Sequence, residues 1–538
     1  MRAKRAVVPK TPPWRSLQCP PAGLARHFGC QTYLLSGLPY TLNDFTFDQA
    51  PLLIRALLNS KLMTKVNGLH MACASAVSLL LAVQTLPAQT ARTVEPDIAI
   101  TNVSVVDVEL GRVRSNQTVL VSGGRITAIG TPKTTGMRIV AGRGKFLVPG
   151  LFDTHVHVGD GIVGSLSRAD TLDALGSYVA FGITGIRAAG ARDPINLVKF
   201  RRTLENEPAV PRLSVSAVVN NQLLTRNGAK DALDLVRQFA AAGVDGIKIR
   251  NDLTNAQMES AIAEARRLGL PSFGHTYDYR RRTNHDFTLE ATAWGAAGVM
   301  HVLGIAPSTP ENEPTTGYMS LSAEKTWLNI ATRWLRTSDA GVNDLIARMI
   351  AKGVWLEPTL LTEHYMLDSV YYRNHQHNGL LEYPYDTVRS FMPTFHDEQL
   401  AQYKLAYVRM QDFVRRFQAA GGIVLAGTDN FPMKGAGLHD ELRLLVEAGL
   451  PPLAALQAAT INAARALGWG GQTGAIKAGL VADLLLVDAN PLQDISNLQR
   501  ISGVFMRGRY FDARELQGLR ERAEAQAARR RKTVMGGA

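Results

Sequence analysis

Leu147-Val148-Pro149-Gly150-Leu151-Phe152-Asp153-Thr154-His155-Val156-His157 is an apolar run, rich in β-formers, that carries two histidines two residues apart. In a strand, residues i and i+2 share a face, so His155 and His157 point the same way. Two imidazoles converging from one strand end suggest a metal site. A bare His-x-His is more often a pair of ordinary strand histidines, so its meaning depends on what the rest of the chain sets beside it.

Downstream, short β-rich runs alternate with helical stretches. The runs are 147–154, 182–187, 213–219, 246–250, 271–275, 298–301, 353–357 and 423–428. Stretches with apolar spacing near 3.6, such as 231–242 and 256–268, separate several of them. This alternation predicts an α/β fold, a (β/α)8 TIM barrel over 150–473. Catalytic groups in that fold sit at the C-terminal ends of strands, so polar ligands should stand where the β runs stop.

They do. The first run ends in His155 and His157, and the fourth carries Lys248 between Ile247 and Ile249. The fifth ends in His275, the sixth in His301, and the eighth in Gly427-Thr428-Asp429. Each has an ordinary reading alone: a satisfied histidine, a turn aspartate, a solvated lysine. Lys248 alternates with two isoleucines, which places it on the barrel axis or on the helix side. A lone ammonium inside the barrel is costly unless it is paired or chemically changed. Six such residues at strand ends, in order, favour a metal centre.

The flanks have a different texture. Residues 98–105, 118–122 and 126–129 read as short strands, with a hairpin turn at Ser122-Gly123-Gly124-Arg125. Residues 474–512 look the same, and neither set alone makes a stable sheet. Pairing the two ends predicts a small β-sandwich domain assembled from 89–149 and 474–512.

At 46% hydrophobic and 20% charged residues, the chain has ample material for a core. Its formal charge of +13 is concentrated at the ends. Residues 1–88 hold nine lysines and arginines against two acids, and 513–538 hold seven against three. The body is near neutral, which gives no reason to expect a nucleic-acid partner. The segment 513–538 reads as a helix fraying into a solvated basic tail. Cys19, Cys30 and Cys73 all precede residue 89, so the body has no thiolate ligand, disulfide or cysteine nucleophile.

Residues 1–62 show no sustained periodicity, whereas 63–88 combine Lys65, an Ala- and Leu-rich apolar stretch and a small residue after Leu86-Pro87. That pattern reads as a secretory signal peptide, too short for a span of about 20 residues. We expect 1–62 to be an upstream extension, and the mature chain to be secreted or periplasmic without stable membrane insertion. Self-association is left open.

The assembled pattern resembles the amidohydrolase superfamily, in its imidazolonepropionase-like and Xaa-Pro dipeptidase-like branch. The resemblance covers nearly all of 97–512. It rests on Pro149-Gly150-Leu151-Phe152-Asp153-Thr154-His155-Val156-His157, Asp245-Gly246-Ile247-Lys248, Gly274-His275-Thr276, His301 and Gly427-Thr428-Asp429. The stretch from Ala458 to Gly468 and the tail from Gly474 to Leu485 are similar as well. The resemblance implies two divalent metal ions, His155, His157 and Asp429 holding one and His275 and His301 the other. It further implies that Lys248 is carbamylated by CO2 and bridges both ions. Imidazoles and hard oxygens suit zinc best, with Mn or Co able to substitute.

The implied reaction is hydrolysis of an amide bond in a small molecule such as a dipeptide or N-acyl amino acid. A hydroxide bridging the metals attacks, and Asp429 shuttles the proton to the leaving nitrogen. The bridging lysine, and the lack of a Glu near His275, favour amide hydrolysis over deamination. Tyr277, Arg187 and His439 are candidate substrate contacts, Arg187 toward a carboxylate. Relatives often read Val-Arg-Asp after the second strand, where this chain has Ile186-Arg187-Ala188. The aromatic- and histidine-rich stretch 359–402 reads as a lid or a subunit contact. Alternatives are a cyclic-amide or lactone hydrolase using the same site, and a silent binding protein with the same fold.

Overall fold

The computed structural model describes residues 97–158, 167–250, 253–275, 287–308, 323–381, 395–429 and 433–536. The chain divides into Met1–Arg92 and Thr93–Ala538, and every described residue belongs to the second unit. The expected signal peptide at 63–88, the extension 1–62 and Tyr277 lie outside the described residues. No helix among the described residues is long and apolar enough to cross a membrane.

Five strands come first: β1 (Ile98–Asp107), β2 (Arg112–Ser122), β3 (Arg125–Gly130), β4 (Arg138–Ala141) and β5 (Phe146–Pro149). Gly123 and Gly124, at φ 55° and 78°, supply the left-handed turn that the β2–β3 hairpin needs. Seven more form a parallel sheet in chain order: β6 (Leu151–Val156), β7 (Ile183–Ala191), β8 (Arg212–Val219), β9 (Gly246–Ile249), β10 (Ser272–His275), β11 (Gly298–Met300) and β12 (Trp355–Glu357). The last three are β13 (Leu484–Val487), β14 (Ile501–Met506) and β15 (Arg509–Asp512).

The parallel sheet is the expected barrel, closed by a segment that barely registers as a strand. Val424 bridges Leu356 in parallel. Leu425 N–H donates to Leu356 O (2.8 Å), and Thr154 N–H donates to Ala426 O (3.0 Å). The eighth run therefore bonds to both β12 and β6, and the ring has no open edge there. Inside it, Ala189, Phe273, Met300, Trp355 and Leu425 pack as a buried apolar floor.

The run 147–154, read as one strand, is two. Phe146–Pro149 belongs to the flanking sheet and Leu151–Val156 to the barrel, with Gly150 at the crossing. A side chain at Gly150 would collide with Thr184 of β7, so only glycine lets the chain pass from one sheet to the other.

The two flanks meet through β5 and β13, antiparallel, with Leu147 opposite Leu486 and Pro149 opposite Leu484. They form one continuous eight-stranded sheet rather than two separately bonded layers. It turns back on itself: Ala482 N–H donates to Gly124 O (2.9 Å), and Ile126 N–H to Leu480 O (2.9 Å). Ile98, Val105, Val121, Leu147, Leu484 and Phe505 enclose its core.

The segment 513–538 is not a solvated tail, which corrects that expectation. Ala513–Gly536 is a helix whose Leu516, Leu519 and Ala523 are buried in the barrel's main apolar cluster. It lies along helix Arg168–Ala180, with Arg529 bonded to Asp170 (2.7 Å) and Arg520 to Ala180 O (3.3 Å). Charge along the sequence hid an apolar stripe at helical spacing. Leu519→Ala should lower unfolding stability by about 2–5 kcal/mol, whereas Arg529→Ala, which removes only a solvent-exposed pair, should leave it nearly unchanged. Urea unfolding of the two variants checks this.

Candidate metal centre

His155, buried on β6, is the hub of the site. Its Nε2 lies 3.2 Å from Asp429 Oδ1 and 3.1 Å from Lys248 Nζ, and its Nδ1 lies 2.8 Å from Glu357 Oε1. His157 Nε2 reaches the same Asp429 oxygen at 2.9 Å. The His155, His157 and Asp429 ligand atoms all lie within 4.8 Å of one another. Two imidazole nitrogens and a hard oxygen converging in that space suit a divalent ion, so the donor set fits a bound metal.

The other two histidines stand alongside. The His275 and His301 rings meet edge to face at 4.2 Å, and His301 lies 5.0 Å from the His155 ring. His301 Nδ1 pairs with Thr359 Oγ1 at 2.9 Å. The structure thus brings together His155, His157, Lys248, His275, His301 and Asp429.

The backbone is bent to achieve this. His301, Thr359 and Asp429 all adopt left-handed φ values, 67°, 50° and 58°. Such residues cost on the order of 1 kcal/mol or more each and persist where the surroundings hold them. Here they turn side chains inward at strand ends, and Glu441 caps the outcome. Its carboxylate accepts from Leu360 N–H (3.1 Å) and Leu361 N–H (2.7 Å) at the start of helix Leu360–Leu367.

Gly427-Thr428-Asp429 divides its labour. A Cβ on Gly427 would stand 2.7 Å from His155 Cβ and 2.8 Å from Glu357 Cδ, so glycine permits their approach. Thr428 donates its hydroxyl to Asp153 Oδ2 (2.7 Å) and its N–H to Oδ1 (3.1 Å), fastening the eighth segment to β6. Asp429 supplies the ligand oxygen. Gly190 does for Lys248 what Gly427 does for His155. At φ 121°, a side chain there would press within 2.9 Å of Lys248 Cδ.

Electrostatics suit metal binding. Burial first, then Lys248, pushes His155 down to about 4, so its imidazole is neutral at pH 7. Burial pushes His275 and His301 well below the usual imidazole range. Burial would raise Asp429, but His155, His157 and His301 outweigh it and hold the carboxylate well below its ordinary value. Burial also brings Lys248 down to about 8, against the pull of Asp429. An amine in that range is partly neutral at physiological pH and able to react as a nucleophile.

Two expected substrate contacts are corrected. Arg187, only 2% exposed, sits on the floor rather than facing a ligand. Its Nη2 meets Glu357 Oε2 at 2.5 Å, its Nε donates to Thr154 O (2.7 Å), and its guanidinium lies 4.2 Å over the Phe273 ring. The acid missing from the segment after β7 is supplied by β12. His439 is buried away from the six ligands, its Nε2 donating to Phe181 O at 3.0 Å. The stretch 359–402, where described, turns Tyr365 and Tyr372 into its own interior, so these two are not faces of a lid.

Glu357 is not among the expected site residues, although the run 353–357 ends in this carboxylate just as other runs end in ligands. It is completely buried and accepts from the Thr154 hydroxyl besides meeting His155 and Arg187. Burial would raise it, but Arg187 and His155 hold it below the usual carboxylate value. Asp153 was also missed as the staple to Thr428.

The amidohydrolase family profile matches residues 146–510. A stretch of 63 residues is 36% identical to an adenine deaminase from Thermosipho africanus, covering 12% of this chain and 11% of that protein. The match therefore spans about a tenth of that relative's length. Among solved structures, a Xaa-Pro dipeptidase with methionine bound in its active site superposes with TM-score 0.56 at 18% identity, over 78% of this chain and 100% of the other. A bottromycin amidohydrolase gives 0.58 at 20%, over 80% and 90%. A molinate hydrolase gives 0.56 at 18%, over 79% and 96%. These likenesses show the fold, and the profile, spanning more than half of the sequence, shows the family. The chain belongs to the amidohydrolase family of hydrolytic enzymes.

Proposed function

We propose that this enzyme hydrolyses the amide bond of a small substrate, such as a dipeptide or an N-acyl amino acid, using two divalent metal ions, with zinc suiting the ligands best. One is held by His155, His157 and Asp429, the other by His275 and His301, with Lys248 carbamylated by CO2 and shared between them. The observation carrying this reading is Lys248 Nζ, buried and 3.1 Å from His155 Nε2. An ammonium has no favourable role among metal-binding imidazoles, whereas a carbamate oxygen does.

When bound, the ions supply Lewis acidity toward the carbonyl and make water nucleophilic at neutral pH. Asp429 is the group of this chain that moves the proton. Its Oδ1 lies 2.9 Å from His157 Nε2, and as a carboxylate it can take a proton from attacking water and hand it to the leaving nitrogen. Glu357 Oε1, 2.8 Å from His155 Nδ1, favours a proton on that nitrogen by its charge, which leaves Nε2 to face the metal. A secreted or periplasmic location remains part of the proposal and rests on the pattern of 63–88.

Metal analysis combined with a panel of Xaa-Pro dipeptides, N-acyl amino acids, lactones and adenine tests the reading. The expected result is two metals per chain and hydrolysis of at least one amide. Turnover of lactones alone, or of adenine alone, would replace the amide assignment. A protein that binds no metal would overturn the centre itself.

A further inference from the structure

A second cavity, of about 280 Å³, opens where separate pieces of the fold meet, and none of the six metal-site residues lines it. Its walls come from residues 375–377, the first turn of helix Ala436–Glu447, residues 499–500 and the C-terminal helix Ala513–Gly536. Phe181 closes it at the end of helix Arg168–Ala180.

The walls are rich in N–H groups, with two guanidinium charges among them. They carry the guanidinium groups of Arg500 and Arg520 and the imidazoles of His375, His377 and His439, against one carboxylate, Asp440. That carboxylate is already engaged. Its Oδ1 accepts from Tyr371 Oη (3.0 Å), and its Oδ2 faces His375 Nε2 at 3.4 Å. His375 Nδ1 accepts from His377 N–H (3.1 Å), and His439 Nε2 donates to Phe181 O, so neither ring has a donor to spare. Gln376 and Gln499 bond to each other at 3.4 Å.

Three donors are left over. Among the described residues neither Arg500 nor Arg520 forms a close ion pair, although Glu524 acts on Arg520, and Arg500 on Asp488, at longer range. Arg520 donates one Nη to Ala180 O and lies 5.2 Å over the Phe181 ring, while its Nε is buried with no acceptor. Buried N–H donors are almost always satisfied, so Arg520 Nε is available to an acceptor, whether solvent or ligand. His377 is held by ring contacts, edge to face with Phe181 at 4.8 Å. Burial first, then His375, Arg520 and His439, pushes His377 down to about 4, so its ring is neutral near pH 7 and offers an N–H rather than a charge.

We propose that this cavity binds a small tetrahedral oxyanion of the phosphate type, free or as the terminal group of a monoester. Arg520 would grip it from the helix, Arg500 from the mouth and His377 from the facing loop. Guanidinium forks match phosphate oxygens in charge and geometry, and donors converging from three elements suit a tetrahedral anion better than a planar carboxylate. Bound there, the anion ties the C-terminal helix to 375–377 and to 499–500.

The test is calorimetric titration of the metal-loaded full chain at constant ionic strength, with inorganic phosphate, glycerol phosphate and acetate, alongside thermal unfolding in each. Phosphate should bind saturably at this site and raise the unfolding temperature. Arg500→Gln and Arg520→Gln should each weaken that binding by about tenfold or more. Arg500 is exposed, so its variant keeps the fold and the amide turnover even if Arg520→Gln does not. Glycerol phosphate binding as well as phosphate identifies a monoester pocket, and phosphate alone a free-anion pocket; both support the site. Phosphate binding equally tight in wild type and both variants would place the anion at the metals and overturn the proposal. Acetate matching phosphate, or no saturable binding, would overturn it too.

Discussion

Lys248→Ala should yield a folded protein that has lost most of its metal and about a thousandfold of its turnover. The size follows from the chemistry assigned to the lysine. A ligand shared by two ions holds both, and bound metals contribute several kcal/mol of transition-state stabilisation, each 1.36 kcal/mol being tenfold in rate. Folding should survive, because Lys248 sits in a pocket that Gly190 and Val218 already define. Lys248→Met, nearly the same shape without the amine, separates lost packing from lost ligation. Metal analysis and turnover on the best amide substrate read the effect. A carbon-13 carbamate resonance after labelling with ¹³CO2 should be present in the parent protein and absent from both variants. Near-parental metal content and rate in Lys248→Met would reject the bridge while leaving the His155–His157–Asp429 set intact.

The ligands were legible because the barrel imposes a rule on sequence: chemistry stands where strands stop. His155, Lys248, His275, His301 and Asp429 each stand within or just past the end of a β run, and that pattern is local. What was not legible is what reaches across the ring. Arg187 pairs with Glu357, 170 residues away, so it looked like an unpaired cation seeking a substrate. The same blindness applied to the C-terminal helix, whose basic residues masked Leu516, Leu519 and Ala523 until helix Arg168–Ala180 gave them a surface. The break at Gly150 was hidden for another reason. Strands of two sheets follow one another without a turn, and apolar runs do not record which sheet they join. Glu357 differs from these: it ended a recognised run and needed only the rule already applied to its neighbours.

Glu357→Gln should therefore be among the most damaging single changes away from the ligands themselves, through two separable effects. Glu357 faces His155 Nδ1 at 2.8 Å on one oxygen and Arg187 Nη2 at 2.5 Å on the other, all three side chains buried. The amide keeps the size but removes the charge. Arg187 is then a buried guanidinium without its counter-ion, and removing one partner of such a pair costs about 3–5 kcal/mol. His155 loses the carboxylate that fixes its tautomer, and loss of such an outer partner typically weakens metal binding about 10–100-fold. The double variant Glu357→Gln/Arg187→Met distinguishes the two. Removing the stranded guanidinium should restore most of the stability in urea unfolding, since apolar replacements of buried pairs are often neutral or better. It should not restore metal affinity, because His155 Nδ1 still lacks its carboxylate. If the double variant recovers both, the carboxylate serves only to neutralise Arg187 and the tautomer argument fails. If it recovers neither, Arg187 itself shapes the floor through Phe273 and Thr154 O, and the pair acts as packing rather than as charge.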